Sequence, residues 1–318
     1  MTLLEIEKLN FGFNLSGSYK QVLYNVSLSA DKGEMLAIVG ESGCGKTLTA
    51  MSILNLLPEN AEIKSGQILF KEENLLLKSD LQMQKIRGKS IALIPQDPMT
   101  ALNPLYTIEN QLLEVIKLHQ PEIKNPVETA IKVLNEVKIP NAKDRLKAYP
   151  YELSGGMKQR VIIAMALACK ADLIIADEPT TALDVTVQAQ IMNLLKEIKI
   201  KNQTAVILIT HDLGVVYENA DKIAVMYAGR IVETAKKEDL FKNPLHPYTK
   251  ALFNALPEMN KDKLTPIDGQ PPSINDNIPG CPFNPRCTEK MDICTQKVPP
   301  LQNVKNSKTA CWLYSAEK

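Results

Sequence analysis

One stretch limits the fold of this chain more than any other: a short apolar run, a glycine-rich loop and a helical pattern in immediate succession. Residues 35–39 (MLAIV) are wholly apolar, as a strand buried on both faces requires. The loop GESGCGKT follows at 40–47, and TLTAMSILNLL then predicts a helix over 47–57. Strand, G-x-x-x-x-G-K-[ST] and helix in this order form the context in which such a loop holds phosphate. Gly40, Gly43 and Gly45 let the backbone curl so that successive N–H groups face one anion. The helix start adds its partial positive charge. Lys46 reaches the outer phosphates, the Thr47 hydroxyl ligates Mg²⁺, and Ser42, Cys44 and Leu48 belong to the same binding set. Cys44 reads as a small loop residue, with a redox role as the alternative.

A second apolar strand, DLIIAD at 172–177, delivers Asp177 to hold the Mg²⁺ shell. Glu178 follows directly, where a carboxylate can polarise an attacking water. The strand AVILIT (205–210) brings His211 to the carboxyl edge of the sheet, where ligands collect in open α/β folds. A lone histidine is more often structural; after this strand it reads as a γ-phosphate contact. Gln96, after IALIP (91–95), can touch the metal or the water.

Strands alternating with helical stretches indicate an α/β fold with a largely parallel sheet covered on both faces. Residues 3–9 and 22–29 read as half-exposed strands, and 223–234 as a hairpin turning at Ala228–Gly229. Residues 97–168 interrupt the alternation as a helical insertion. From 257 a Pro-, Asn- and Asp-rich run reads as an extended linker, and a small cysteine-bearing tail follows.

Bulk properties exclude some partners. The 37 basic against 36 acidic residues give a net charge of +1, and aromatics are 5%, so nothing points to nucleic acid. The longest apolar run, 161–169, ends at Lys170 and falls short of the roughly 20 residues of a spanning helix. The N-terminal MTLLEIEKLN is acidic where a signal peptide is basic, so an intracellular protein is expected.

A further glycine-rich segment, LSGGMKQR, lies at 153–160. Ser154, Gly155 and Gly156 precede a helix predicted over 157–168 and make a second anion-binding helix start. One chain cannot fold this onto its own phosphate loop if the insertion carries it away, so a partner's nucleotide is its expected ligand.

Together, GESGCGKT, the Gln96 loop, LSGGMKQR, LIIADEP, TALD and His211 resemble the ATP-binding-cassette (ABC) ATPases over residues 3–256. The resemblance implies a P-loop ABC ATPase fold with a mixed sheet, an antiparallel β subdomain, the helical insertion and a loop-rich tail. It implies a nucleotide-binding domain over 1–256 and an extension over 257–318. Lys46, Gln96, Glu178 and His211 take catalytic roles, and Thr47, Gln96 and Asp177 hold Mg²⁺. Ser154, Gly155 and Gly156 bind ATP on a second cassette, a sister subunit or another copy. PQDPMTALNP, NPLHPYTKAL and the proline-rich run ending in cysteines resemble the peptide-importer ATPases, a group that includes nickel importers. HPYT could equally be a surface turn capping a helix. Members of the group sit at the cytoplasmic face beneath two permeases fed by an extracytoplasmic solute-binding protein. An aromatic residue is expected on adenine: Tyr19, with Phe13 and Tyr24 as rivals.

Cys281, Cys287, Cys294 and Cys311 are spaced C-x5-C-x6-C-x16-C, unlike the short hooks of a zinc ribbon. The resemblance implies a [4Fe–4S] cluster on these four thiolates. Structural zinc, disulfides and free thiols are the alternatives.

Overall fold

The computed structural model describes residues 1–15, 17–181, 183–254 and 267–315. Residues 257–266 of the expected linker lie outside the described residues. Among those described, the strands in chain order are β1 (Thr2–Leu15), β2 (Ser18–Asp31), β3 (Met35–Val39), β4 (Ala61–Phe70), β5 (Glu73–Asn74) and β6 (Ile91–Ile94). They continue with β7 (Leu173–Asp177), β8 (Ala205–Thr210), β9 (Lys222–Tyr227), β10 (Arg230–Lys236), β11 (Gln302–Val304) and β12 (Ser307–Thr309). The chain divides into two compact units. The first comprises Met1–Asp31, Met35–Leu77 and Thr210–Lys318; the second comprises Lys32–Glu34 and Lys78–Ile209.

In the first unit an antiparallel sheet runs β2-β1-β4-β5. Leu4, Ile6, Leu9 and Phe11 of β1 are fully buried; each such side chain contributes about 2 kcal/mol. Both long strands extend past the stretches that alternation marks. The reason is a bulge: pairing shifts between Ile6 and Leu9 and again around Phe11, where Lys8 has φ 46° and Asn25 φ 49°. An inserted residue flips the faces, so a period-two reading stops there although the strand does not. Asn10 spans the irregularity, its Nδ2 donating to the Lys8 carbonyl at 2.9 Å and to Asn25 Oδ1 at 3.0 Å.

A second set of strands in this unit begins with β3, all five residues buried. It pairs parallel with β9, Leu36 opposite Lys222 through Val39 opposite Val225. Antiparallel β10 follows through the expected turn, with φ 44° at Ala228 and 72° at Gly229. Two left-handed residues give the tight turn whose twist suits a hairpin. A Cβ on Gly229 would fall 1.7 Å from the Val22 carbonyl oxygen, so no other residue fits. The tail then joins the sheet: β12 pairs with β10, Glu233 opposite Thr309, and β11 completes a short hairpin. Tyr227, Tyr248, Phe253, Cys281, Phe283, Cys294 and Trp312 share one buried cluster with Ala37 and Val39.

In the second unit β6, β7 and β8 are parallel and in that order. The helical insertion has its main helices at Ile108–His119, Pro126–Glu136 and Gly155–Ala168. Thr107 and Asn125 cap the first two, accepting from the Asn110 and Glu128 N–H groups; a side-chain oxygen there satisfies a donor the helix leaves open. No described helix is long and apolar enough to cross a membrane.

Candidate active site

The phosphate loop lies between β3 and the helix Lys46–Leu54, in the first unit. Positive φ at Gly43 (76°) and Gly45 (107°) produces the curl. Lys46 is 6% exposed, and its Nζ donates to the carbonyls of Gly40 at 2.8 Å and Glu41 at 3.0 Å. The ammonium thus lies folded over the loop, close to where incoming phosphate oxygens would replace those carbonyls. The helix is one turn shorter than expected. Asn55 adopts a left-handed conformation (φ 49°) and the Leu56 N–H returns to the Met51 carbonyl at 3.0 Å, closing it. Cys44 is buried with its thiol pushed up by burial, against the lowering pull of Lys46. Such a thiol is a poor nucleophile, which favours the small-residue reading.

Glu41, the second loop residue, is held from outside the loop. Arg286 Nη1 and Nη2 donate to its carboxylate at 2.7 and 3.0 Å, and its own N–H donates to Tyr248 Oη at 3.0 Å. Tyr248 belongs to HPYT, which is buried: His246 is 2% exposed and Tyr248 fully enclosed. This corrects the surface-turn alternative. The carboxylate of Glu233, itself buried, accepts from the N–H groups of Leu245 and His246 at 2.8 and 2.9 Å. His246 Nδ1 accepts from the Tyr248 N–H at 3.0 Å. Burial pushes the His246 imidazole down to about 3, so it is neutral and serves as an acceptor.

In the second unit β7 ends at Asp177, 2% exposed, and Glu178 follows at φ 46°. A left-handed glutamate costs about 1–2 kcal/mol, strain of the kind that gathers at functional sites. Its N–H donates to the Ile209 carbonyl at 2.9 Å, which fixes the turn. Glu178 Oε2 accepts from Gln96 Nε2 at 3.1 Å and from Thr181 Oγ1 at 2.9 Å. Glu178 and Gln96 were expected to serve one reaction and do meet. Thr181 was missed; its place three residues on from Glu178, in a turn closed by the Thr181 N–H on the Glu178 carbonyl at 3.1 Å, is the signal.

Ser154 caps its helix, accepting from the Met157 N–H at 3.3 Å. The helix begins at Gly155, two residues earlier than predicted, because the serine cap closes the first turn around both glycines. Gly155 and Gly156 are therefore helical rather than a flexible lead-in. They differ in purpose. A Cβ at Gly156 would meet Val187 Cγ1 at 2.9 Å, whereas among the described residues one at Gly155 would find only Leu183 Cδ2 at 4.0 Å.

In the first unit His211 is exposed at the bend after β8. Asp212 caps the next helix, Leu213–Asn219, by accepting from the Val215 N–H at 3.1 Å. Tyr19 lies on β2 with Lys64 Nζ 4.7 Å from its ring centroid, while the Tyr24 ring carries the Arg230 guanidinium at 4.3 Å. Phe13 packs edge-on against Phe11.

Cys281, Cys287, Cys294 and Cys311 line one cavity together with His246, Phe283 and Trp312. All four are free thiols, so the disulfide alternative is absent here. The Cys281 N–H donates to the Cys294 carbonyl at 2.8 Å, tying the two loops together. Burial pushes the Cys281 thiol up to about 11 and Cys311 up to about 12. Among the described residues no three His, Cys, Asp or Glu side chains are grouped to hold a metal ion.

Comparison with known proteins decides the family. The ABC transporter family model matches residues 23–181. The dipeptide transport ATP-binding protein DppD of Bacillus subtilis (strain 168) is 48% identical over 316 residues, 98% of this chain and 94% of that protein. The chain belongs to the ABC transporter family. A second model, the C-terminal region of oligopeptide/dipeptide transporters, matches residues 232–294 of this ABC chain. The oligopeptide transport ATP-binding protein OppD of Salmonella typhimurium is 46% identical over 303 residues, 94% of this chain and 90% of that one. Among solved structures, the dimeric post-hydrolysis state of the ATP-binding cassette MJ0796 bound to ADP and Pi aligns at TM-score 0.66 and 26% identity, covering 74% of this chain and 98% of that one. The expected cassette fold, with mixed and antiparallel sheets, is thereby borne out, and the ABC chain is an ATPase.

Proposed function

We propose that this chain is the ATP-hydrolysing subunit of an importer of small peptides, held at the cytoplasmic face of the membrane by two permeases. The observation that carries the reading is the Glu178 carboxylate, fixed at the end of β7 by Gln96 and Thr181. Lys46 gives up the Gly40 and Glu41 carbonyls for the outer phosphates of ATP. Thr47, Gln96 and Asp177 would ligate Mg²⁺, which when bound neutralises phosphate charge. Glu178 orients a water and takes its proton as the oxygen bonds to the γ-phosphorus and the bond to ADP breaks. His211 contacts the γ-phosphate and Tyr19 stacks on adenine. Catalysis of this kind is positioning and charge stabilisation, with little covalent work for the protein.

Ser154, Gly155 and Gly156 complete the nucleotide cage of a second cassette, a sister ATPase or another copy. The open face of Gly155 among the described residues and the dimeric relative bound to ADP and Pi support this. Peptide as cargo rests on the near full-length likeness to proteins named for dipeptide and oligopeptide transport, and an extracytoplasmic solute-binding protein would deliver it. Permeases would dock on the helical insertion, where Met99, Leu105, Tyr106 and Tyr151 stand exposed. The test is reconstitution in vesicles with a permease pair and a solute-binding protein of the peptide-importer type. Labelled dipeptide is expected to accumulate only with ATP, and hydrolysis to rise when peptide is added. Failure to associate with any membrane pair, with turnover indifferent to peptide, would sink the reading.

The four tail cysteines would hold a [4Fe–4S] cluster. Their walls of Phe283 and Trp312 make a low-dielectric cage, and the raised thiols of Cys281 and Cys311 need a nearby cation before they ionise. Zinc is the alternative; it would draw its sulfurs to about 2.3 Å from one point. A four-iron cluster spreads its thiolates over separate irons. Anaerobically purified protein is expected to contain iron and sulfide in near-equal amounts. Stoichiometric zinc without iron would reject this assignment.

A further inference from the structure

The phosphate loop contains a carboxylic acid at its second position, GESGCGKT. A carboxylate beside a triphosphate site opposes the ligand that the loop N–H groups attract. In a partly buried loop this repulsion is felt more strongly than in bulk solvent. The structure shows what becomes of that charge. The Arg286 guanidinium grips it with two parallel N–H donors at 2.7 and 3.0 Å, the fork geometry that suits a carboxylate. The Arg286 side chain is 5% exposed and that of Glu41 23%, so this pair is not a solvated surface contact.

Arg286 is itself pinned. Its Nε donates to the Asp268 carbonyl at 2.8 Å, and Nη1 also reaches Tyr227 Oη at 3.3 Å. Glu41 in turn is held at three points: the side chain by Arg286, the N–H by Tyr248 and the carbonyl by Lys46. The tyrosines belong to one aromatic group, with the Tyr227 ring 4.6 Å from Tyr248 and 5.2 Å from Phe283. Arg286 precedes Cys287 in sequence, and Phe283 lies two residues after Cys281. The segment that carries the cysteines therefore touches the loop that binds phosphate, through one charged pair.

We propose that Arg286 is a positioning residue for nucleotide binding, neutralising Glu41 and fixing the curl of the phosphate loop, so that the cysteine-bearing tail sets the loop's affinity for triphosphate. The inference rests on ATP binding at this loop and is independent of what the cysteines hold.

The test measures affinity for MgATP and MgADP by calorimetric titration of the full chain. Arg286→Ala is expected to weaken MgATP about tenfold, the scale of one uncompensated charge in a partly buried setting. MgADP, with less charge, should lose less. The ATP defect should shrink between about 50 mM and about 500 mM salt, because salt screens the repulsion between the freed carboxylate and the phosphates. Adding Glu41→Gln to Arg286→Ala should restore most of the loss, a rescue that a purely structural clamp would not give. Glu41→Gln alone should tighten MgATP about two- to threefold, leaving the guanidinium as a net attraction. If Arg286→Ala does not fold, this single variant carries the test. MgATP affinity within twofold of the parent in folded Arg286→Ala, no rescue in the double variant, or weaker binding in Glu41→Gln would each overturn the proposal.

Discussion

Glu178→Gln is expected to bind MgATP and to pair with a second cassette as the parent does, while hydrolysis falls at least about a hundredfold. The amide is the same size and its oxygen can still accept from Gln96 Nε2 and Thr181 Oγ1, the two bonds that seat the carboxylate. The left-handed backbone at this position is no harder for glutamine than for glutamate. What disappears is the negative charge and the basic oxygen proposed to take a proton from water. A hundredfold loss corresponds to about 2.7 kcal/mol of barrier, within the range of one general base. Single-turnover hydrolysis with radiolabelled ATP checks the rate, and size-exclusion chromatography with and without ATP checks pairing. Turnover near the parent's would remove Glu178 from the mechanism; a failure to bind ATP would show that the substitution had disturbed the loop instead.

Lys46→Ala acts one step earlier. Its ammonium is the buried cation of the phosphate loop, donating to two loop carbonyls in the structure. Removing it deletes the charge proposed to meet the outer phosphates and releases the Gly40 and Glu41 carbonyls. A charge-assisted contact of this kind contributes about 3 kcal/mol, so affinity for MgATP should fall about a hundredfold or more. Lys46→Arg is not a rescue, because a planar fork does not fit the seat of a compact ammonium. Calorimetry on the purified chain gives the affinity, and a melting curve without nucleotide shows whether the fold survives. Retained MgATP affinity in folded protein contradicts the role.

The phosphate loop was legible because its geometry is local. Three glycines, a lysine and a threonine within eight residues dictate the curl, and nothing distant has to be known. The hairpin at Ala228–Gly229 was legible for the same reason. Strand β1 was only half legible, since the bulge at Lys8 breaks the alternation that marks a strand. At LSGGMKQR the sequence places both glycines ahead of the helix. The Ser154 cap starts the helix around them, and Gly156 is required by Val187, a neighbour that no local pattern announces. Arg286 and Glu41 stand 245 residues apart, and each looks like an ordinary surface charge when read alone. Glu233 alternates like a solvent-facing strand residue, yet it is fully buried and holds the HPYT turn through two N–H groups.

The hairpin of the tail has one more consequence. Strand β12 pairs with Glu233, Thr234 and Ala235 of β10, while Trp312 and Phe283 belong to the buried aromatic cluster. A chain cut off before this segment would keep every proposed catalytic group and yet bare the edge at Glu233–Ala235 and uncover rings, features that recruit stray strands into aggregates. The extension is thus a selvedge: trimming it unravels cloth that the nucleotide-handling parts are woven into.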